Sequence, residues 1–273
     1  MSGRGNTLAE WCDFARKAED LGYSTLVLPD HFTRQLAPLP ALAVAAQATS
    51  TLRFGTEVLA NDFRHPVVLA KEAATVDLLT DGRFELGIGT GSLDVDNRQA
   101  GIPLDSPAVK VERIKETLAI LKAFFADEKV NFTGKHYQVD DLLAYPKPIQ
   151  KPRMPILLGA RGDRMLRLAA KEADIIGLLV SAADLPRKMA VVREAAGKRY
   201  DQIELNALYL RVQIDGLPEG PAQYAASAGL TGSKEEVIDK LRADRELYDI
   251  SYVIVVGTAI DAFAPIVARL AGS

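Results

Sequence analysis

Residues 53–91 contain a complete strand–helix–strand unit, and this unit constrains the fold more than any other stretch. A β-branched and apolar run at 53–59 is followed by apolar residues at helical spacing over 67–79. A second short apolar run at 84–89 comes after the turn formed by Thr80, Asp81 and Gly82. Two strands joined through a helix pair in parallel, so the unit predicts a parallel α/β sheet.

The same alternation continues along the chain. The predicted helices cover residues 8–21, 39–48, 67–79, 109–125, 163–171, 183–199, 234–247 and 260–270. The predicted strands cover residues 24–28, 53–59, 84–89, 155–159, 174–179, 204–214 and 251–256. A chain of 273 residues is typical of one barrel. We therefore predict a single (β/α)8 TIM-barrel domain over residues 1–273, with excursions at 126–154 and 215–232.

This strand pattern leaves the barrel one strand short. A closed (β/α)8 barrel needs eight strands, and the missing first strand should precede the helix at 8–21. Residues 1–7 are poor strand material because they are rich in Gly, Ser and Asn. We therefore expect a gap between the strands at 24–28 and 251–256. Either a dimer or rearranged residues should cover it, or the protein should be poorly soluble.

Charge and composition limit the kinds of molecule that this protein is expected to bind. The net charge is −3, and 48% of the residues are hydrophobic. This balance argues against a nucleic-acid or polybasic membrane surface, and favours a small-molecule substrate. No apolar run approaches the roughly 20 residues of a membrane helix, and the N-terminus lacks the apolar core of a signal peptide. We expect a cytoplasmic protein with no metal site, since the single cysteine has no His or Cys nearby at ligand spacing.

Polar residues at a strand end mark the first candidate site. Asp30 and His31 directly follow the strand at 24–28. In parallel α/β folds, function gathers beyond the carboxyl ends of the strands. Histidine exchanges a proton near neutral pH, so His31 is a candidate catalytic residue, although a helix cap or a loop hydrogen bond would also explain the pair.

Two glycine-containing segments mark further strand ends. Gly87, Gly89 and Gly91 alternate at the end of one strand, without the spacing of a dinucleotide-binding motif. Small residues there either let a flat ring approach the backbone or only fill a tight barrel layer. Residues 159–162 (GARG) lead into a helix whose first N–H groups favour an anion, although an ordinary turn would also fit them.

Together these motifs resemble a known family. The segments concerned are 27–32 (VLPDHF), 55–59 (GTEVL), 63–66 (FRHP) and 82–91 (GRFELGIGTG), followed by 155–162 (PILLGARG) and 173–177 (ADIIG). Their succession resembles the luciferase-like monooxygenase superfamily and is most similar to its coenzyme F420-dependent oxidoreductases. The resemblance covers nearly the whole chain, except for the first strand with which such proteins usually begin.

The resemblance implies roles for particular residues. It places His31 against the deazaflavin ring, with Asp30 as the residue that orients it. It also implies a cis peptide bond at Glu57–Val58 or within one residue, bulging under the ring, where an ordinary bulge is the alternative. The cofactor-binding residues that it implies are Glu57, Val58, Leu59, Ala60, Gly89, Thr90, Gly91, Gly159, Ala160, Arg161 and Gly162, the last four at the cofactor phosphate.

Two features of the family are harder to assign to residues of this chain. Several F420-dependent relatives have an acidic proton donor directly after the glycine motif, where this chain has Ser92, so that role does not carry over. The oligoglutamate tail of F420 would need a basic rim. Its candidates are Arg34, Arg64, Arg98, Arg161 and Arg164.

The implied activity is F420-dependent hydride transfer to or from a small organic substrate. An FMN-dependent monooxygenase that uses reduced flavin and O2 is the alternative, and a non-catalytic subunit of such an enzyme is another. The family implies a homodimer. The excursion at 126–154 is a candidate substrate lid, or else a surface insertion.

Overall fold

The structure is a computed structural model that describes residues 7–33, 35–91, 93–178, 183–215 and 229–271. Within these ranges the strands are β1 (Thr25–Leu28), β2 (Arg53–Thr56), β3 (Leu59–Ala60), β4 (Phe84–Gly89), β5 (Lys129–Thr133), β6 (Gln138–Leu143), β7 (Ile156–Ala160), β8 (Ile175–Leu178), β9 (Glu204–Tyr209), β10 (Arg211–Ile214), β11 (Gly229–Gly232) and β12 (Ile250–Val255). The helices are α1 (Leu8–Asp20), α2 (Pro38–Ala46), α3 (Pro66–Leu79), α4 (Asp94–Ala100), α5 (Pro107–Ala126), α6 (Asp163–Glu172), α7 (Leu185–Ala196), α8 (Lys234–Tyr248) and α9 (Ile260–Leu270).

The main sheet is parallel and follows chain order. Its strands run β1-β2-β4-β7-β8-β9-β12, and β3 pairs with β4 beyond the end of β2. Helices connect successive strands, as the β/α alternation predicts. All seven predicted strands contribute residues to this sheet, and the α/β barrel prediction is confirmed.

The ends of this sheet do not pair with each other. Within the described residues no strand precedes α1, and no pairing joins β1 to β12. Side chains from α1 and α9, together with Tyr23 and Tyr252, line the seam between the two strands. A cavity of about 60 Å³ remains there, which is room for a few water molecules but not for a strand.

The first helix shows how local sequence sets an element boundary. Thr7 Oγ1 accepts a hydrogen bond from Glu10 N at 3.3 Å, and Glu10 Oε2 accepts one from Thr7 N at 3.2 Å. This reciprocal capping box starts α1 and fixes its entry. On the inner side of the helix Trp11, Ala15 and Ala18 are buried against the barrel.

Two predicted segments and one loop differ from the structure. The strand predicted at 204–214 is two strands, because Leu210 separates β9, in the main sheet, from β10, which pairs with β11. The excursion at 126–154 contains the antiparallel hairpin of β5 and β6, and the loop after β4 contains the unpredicted helix α4. Of the excursion at 215–232, residues 216–228 lie outside the described residues.

The β5–β6 hairpin is anchored on α5. Glu116 accepts hydrogen bonds from the backbone N–H groups of Lys135, His136 and Tyr137 at 2.8–3.0 Å. These bonds hold the pKa of Glu116 below its usual range, against the opposing effect of burial. The Tyr137 hydroxyl accepts a hydrogen bond from Arg113 Nε at 3.0 Å. The hairpin tip is therefore fixed beside the N-terminal half of α5.

A membrane-spanning role finds no support in the helices. None of those described is both long enough and apolar enough to cross a bilayer.

Candidate active site at the barrel mouth

The carboxyl ends of β1, β3 and β4 bring three predicted segments together. Residues 30–31 follow β1, residues 57–60 connect β2 with β3, and residues 89–91 end β4. The pairing of Ala60 with Gly89 joins the last two segments directly. We call this region the mouth.

His31 is held by an acidic residue that lies 65 positions away in the sequence. Its Nδ1 atom lies 2.7 Å from Asp96 Oδ2, and the Asp96 side chain is 3% exposed. An ionised carboxylate only accepts hydrogen bonds, so this contact places the proton on Nδ1 and leaves Nε2 available at the mouth. The backbone N–H of Phe32 donates to Asp96 Oδ1 at 3.3 Å, which fixes the carboxylate as well.

The expectation that Asp30 orients His31 is wrong. Asp30 Oδ2 instead accepts hydrogen bonds from Arg64 Nη1 at 2.5 Å and from the backbone N–H of Ala60 at 3.2 Å. These contacts tie the end of β1 to the end of β3. Asp30 therefore links the ends of β1 and β3, and the side chain that contacts and orients the His31 ring is Asp96.

The peptide bond between Glu57 and Val58 is cis, as predicted. The Val58 side chain fills the space between two neighbouring strands. A Cβ placed on Gly89 would lie 2.6 Å from Val58 Cγ2, and one placed on Gly159 would lie 3.1 Å from it. A Cβ on Gly87 would lie 1.8 Å from the Thr56 carbonyl oxygen. Close packing thus disfavours a side chain at Gly87 and Gly89 and leaves little room for one at Gly159.

Gly91 differs from these glycines. Its φ is +78°, which favours glycine, and a Cβ placed there would meet only Ala60 Cβ at 3.8 Å and Lys110 Nζ at 4.0 Å. Of the predicted ring-binding residues, Leu59 and Ala60 are buried, whereas Thr90 and Gly91 are partly exposed.

Beneath the mouth, acidic side chains share the barrel interior. Glu57 Oε1 would lie 2.9 Å from a Cβ on Gly177, and Glu57 Oε2 is buried without a hydrogen-bond partner. Glu85 Oε1 accepts a hydrogen bond from the Tyr252 hydroxyl at 2.6 Å. Asn206 pairs in register with both Gly177 and Tyr252, and both polar atoms of its side chain lack a partner. We call Glu57, Glu85, Asn206 and Tyr252 the interior cluster.

Burial controls the ionisation of this cluster. Loss of water raises the pKa of Glu57 to about 8, with a further contribution from the nearby Glu85 carboxylate. Burial also raises the pKa of Glu85, while the Tyr252 hydrogen bond partly opposes that rise. At neutral pH the Glu57 carboxyl group is therefore mostly protonated.

The predicted phosphate segment lies at the start of α6. Gly162 is the N-cap residue, and no side chain caps the helix there. Arg161 is exposed, Ala160 is buried, and a Cβ on Gly162 would meet nothing within 4 Å. Asp163, the first helical residue, is paired with Lys188 at 2.7 Å, so its charge is compensated. The start of α6 therefore lacks a side-chain cap and has room beside Gly162.

The predicted basic rim is only partly available. Arg64 is engaged by Asp30 and lies 3.6 Å from Glu72, so it is not a free surface charge. Arg98, Arg161 and Arg164 are exposed, and Arg34 lies outside the described residues. No group of three or more His, Cys, Asp or Glu side chains in the described ranges is arranged to hold a metal ion.

Two functional contacts escaped sequence reasoning. Asp96 was not predicted as the partner of His31, because α4 is short and lacks apolar periodicity. Lys110 lies 3.6 Å from Asp62 behind the mouth, although a lysine in a helical pattern normally indicates a solvated face. A cation near the N-terminus of a helix opposes the helix dipole, and this signal could have singled out Lys110.

Comparisons with known proteins agree with this geometry. The model of a family described as luciferase-like monooxygenase matches residues 1–215. The F420-dependent glucose-6-phosphate dehydrogenase of Microbacterium testaceum is 34% identical over 173 residues, covering 60% of this chain and 51% of the relative. The enzyme of the same name from Nakamurella multipartita is 28% identical over 257 residues, covering 87% of this chain and 74% of the relative. The chain therefore spans about half of the first relative and about three quarters of the second.

Solved structures share the fold. The coenzyme F420-dependent tetrahydromethanopterin reductase from Methanopyrus kandleri matches with a TM-score of 0.80 at 19% identity, covering 95% of this chain and 94% of that one. A long-chain alkane monooxygenase matches with a TM-score of 0.82 at 16% identity, covering 96% and 83%. At such identities the likeness shows the barrel architecture alone.

Proposed function

The chain belongs to the luciferase-like monooxygenase family, and we propose that it is an F420-dependent oxidoreductase that transfers a hydride between the deazaflavin and a small organic substrate. The observation that carries this proposal is the contact of His31 Nδ1 with the buried Asp96 carboxylate at the mouth. The names of the relatives, which are F420-dependent dehydrogenases, support the choice of cofactor.

The residues present fit such a cofactor. The uncapped N-terminus of α6 at Gly162 offers N–H donors and a favourable dipole to a phosphate group. Gly91 carries no side chain that would keep a ring away from the backbone at the end of β4. When bound, the deazaflavin supplies the hydride-carrying carbon, and the protein supplies position and proton control.

His31 and its neighbours would control the proton and exclude water. Asp96 holds the imidazole through Nδ1, so Nε2 can accept or donate a proton at the mouth. The rings of Phe32 and Phe63 lie 4.7 Å apart, and Phe32 is 53% exposed. Such an apolar pair beside His31 would cover the reacting groups and help to exclude water.

The FMN-dependent monooxygenase remains the second candidate. It is supported by the family description and by the likeness to an alkane monooxygenase. A non-catalytic subunit is supported only by the unpaired seam between β1 and β12. The proposed protein is a cytoplasmic homodimer. The β5–β6 hairpin is the proposed substrate lid, because hydrogen bonds to Glu116 hold its tip beside the N-terminal half of α5.

A titration with both cofactors tests this proposal. Purified protein is mixed with F420 or with FMN, and binding is followed by the change in cofactor fluorescence. We expect tighter binding of F420, and then loss of oxidised F420 absorbance when alcohols or sugar phosphates are screened as substrates. Preferential binding of FMN would support the monooxygenase, and binding of neither cofactor would contradict both enzyme proposals.

A further inference from the structure

The outer surface of α1, α2 and α3 has no part in the chemistry proposed above. The three helices are neighbours. Trp11 Nε1 donates a hydrogen bond to the Ala41 carbonyl oxygen at 2.7 Å between α1 and α2, and Gln47 Nε2, just after α2, donates one at 2.9 Å to the carbonyl oxygen of the last residue of α3. We call this surface the three-helix face. The large apolar side chains that it exposes are Leu8, Val44, Val68, Leu78 and Leu79.

The central helix of the face, α2, is apolar on both of its sides. Leu42 and its neighbours on the inner side are buried against the barrel, while Pro40, Val44 and Gln47 are exposed on the outer side. Residues 35–52, which contain α2, include no Asp, Glu, Lys, Arg or His, although 25% of the chain is charged. A surface helix normally carries charged or polar residues on its outer side, and a helix that is apolar all round is normally buried. The outer side of α2 therefore has the composition of a covered surface.

A groove of about 440 Å³ lies between α1 and α2. Its walls include Leu8, Cys12 and Val44. The two charged residues of its lining, Asp13 and Arg16, pair with each other at 2.6 Å. Apolar side chains from a facing surface can therefore enter the groove without leaving a charge unpaired.

The three-helix face is large enough to form a stable interface. Its helices contain 13, 9 and 14 residues. At a width of about 10 Å and a rise of 1.5 Å per residue, they present on the order of 500 Å² in projection. Accessible area exceeds projected area because the side chains protrude. The face therefore approaches the roughly 800 Å² that each partner buries in an interface of standard size.

The absence of charge on α2 selects the partner. Two copies that meet about a two-fold axis use the same surface on both sides, so a charged residue near the axis would face its own copy. Like charges placed in this way oppose binding, and α2 offers none. We infer that the three-helix face binds the same face of a second copy of this chain, with α2 at the axis. The inference rests on the homodimer of the proposed function, and it names the surface that forms it.

Val44→Glu tests this inference, because it places a charge at the centre of the face, where the Val44 side chain is exposed. The matched control is Leu247→Glu, which places the same charge at an exposed leucine of α8, outside the face. Sedimentation equilibrium gives the dimer dissociation constant of wild type and of both variants. Maleimide alkylation of Cys12 gives a second measurement, since Cys12 is the single cysteine of the chain and lies in the groove.

The expected result is a wild-type dimer that protects Cys12. Val44→Glu should raise the dimer dissociation constant by about 100-fold or more and speed the alkylation of Cys12, while Leu247→Glu stays within about twofold of wild type. Urea unfolding midpoints show whether both variants are folded. Wild type alone provides a further check, because the alkylation of Cys12 should slow as the protein concentration rises through the dissociation constant.

Three results would overturn the inference: a monomeric wild type, equal alkylation rates of Cys12 in monomer and dimer, or a Val44→Glu dimer as stable as that of wild type. Titration of the same samples with F420 keeps the cofactor proposal separate. A monomer that binds F420 would overturn only the inference and the homodimer. A dimer with protected Cys12 that binds no F420 would support the inference and contradict the proposed cofactor.

Discussion

The mouth and the interior cluster both contain buried carboxylates, but the groups that face these carboxylates differ. At the mouth and directly behind it, three acidic side chains each face a basic group: Asp96 faces His31, Asp30 faces Arg64, and Asp62 faces Lys110. In the interior, Glu57 lies near a second carboxylate, and the hydrogen-bond donor to Glu85 is the neutral hydroxyl of Tyr252.

This difference suggests separate roles for the two regions, with binding and catalysis at the mouth and stability in the interior. Acidic side chains at the mouth are paired with basic ones where a ligand would arrive. The interior stabilises the neutral form of Glu57, as its raised pKa shows. Substitutions at the mouth should consequently change turnover or binding, and substitutions in the interior should change folding and its pH dependence.

The largest effect is expected at His31. His31→Ala removes the group that would exchange a proton at the mouth, and turnover should fall by about 100-fold or more. Asp96→Asn keeps the shape but loses the charge that orients the ring, so a smaller loss is expected. The measurement is kcat with F420 and the substrate found by screening.

Two controls separate this effect from unfolding. The urea unfolding midpoints of both variants should remain close to that of wild type, since the His31 side chain is 23% exposed and the Phe32 N–H can still donate to the Oδ1 atom of residue 96. Added imidazole should restore part of the lost turnover in His31→Ala. A variant with wild-type turnover would remove His31 from the mechanism.

The next effect concerns stability in the barrel layer. Gly87→Ala would force a Cβ to within 1.8 Å of the Thr56 carbonyl oxygen, which belongs to the backbone and cannot rotate away. The cost should be about 3 kcal/mol or greater, so that the variant unfolds early or is recovered as aggregate. Gly162→Ala, which meets nothing within 4 Å, is the matched control and should cost about 1 kcal/mol or less.

Urea denaturation of the two alanine variants compares the regions directly. Equal stability of both would show that the layer around Val58 can relax, and would weaken the packing interpretation of Gly87.

The sequence predicted the fold more completely than it predicted the candidate site. The run at 84–89 became β4 with unchanged bounds, because burial of successive residues leaves a local pattern. The cis bond at Glu57–Val58 came from the family resemblance, since no local propensity reveals a peptide torsion.

The partners of the site residues could not be read in this way. Asp30 is adjacent to His31 in the sequence, yet its carboxylate is directed to Arg64 and Ala60, whereas Asp96 reaches the ring from α4. Strand ends can be located from periodicity, but which side chains meet across them depends on how the loops turn. For the same reason, the packing of Val58 could not be predicted from the sequence. Its methyl groups occupy the space left by Gly89 and Gly159.

The last predicted effect is the pH dependence that Glu57 gives to folding. Its pKa is about 8 in the folded protein, against 4.5 for the unperturbed group. Between these values the unfolded chain releases the proton while the folded protein keeps it, so stability falls as pH rises, by at most about 1.4 kcal/mol per pH unit. Glu57→Gln removes this titration and should flatten the dependence between pH 5 and pH 8. Urea midpoints across that range measure it, with the exposed Glu246→Gln as control. If wild type and Glu57→Gln lose stability in parallel, the interior does not hold Glu57 neutral, and the contrast with the mouth reduces to one of geometry.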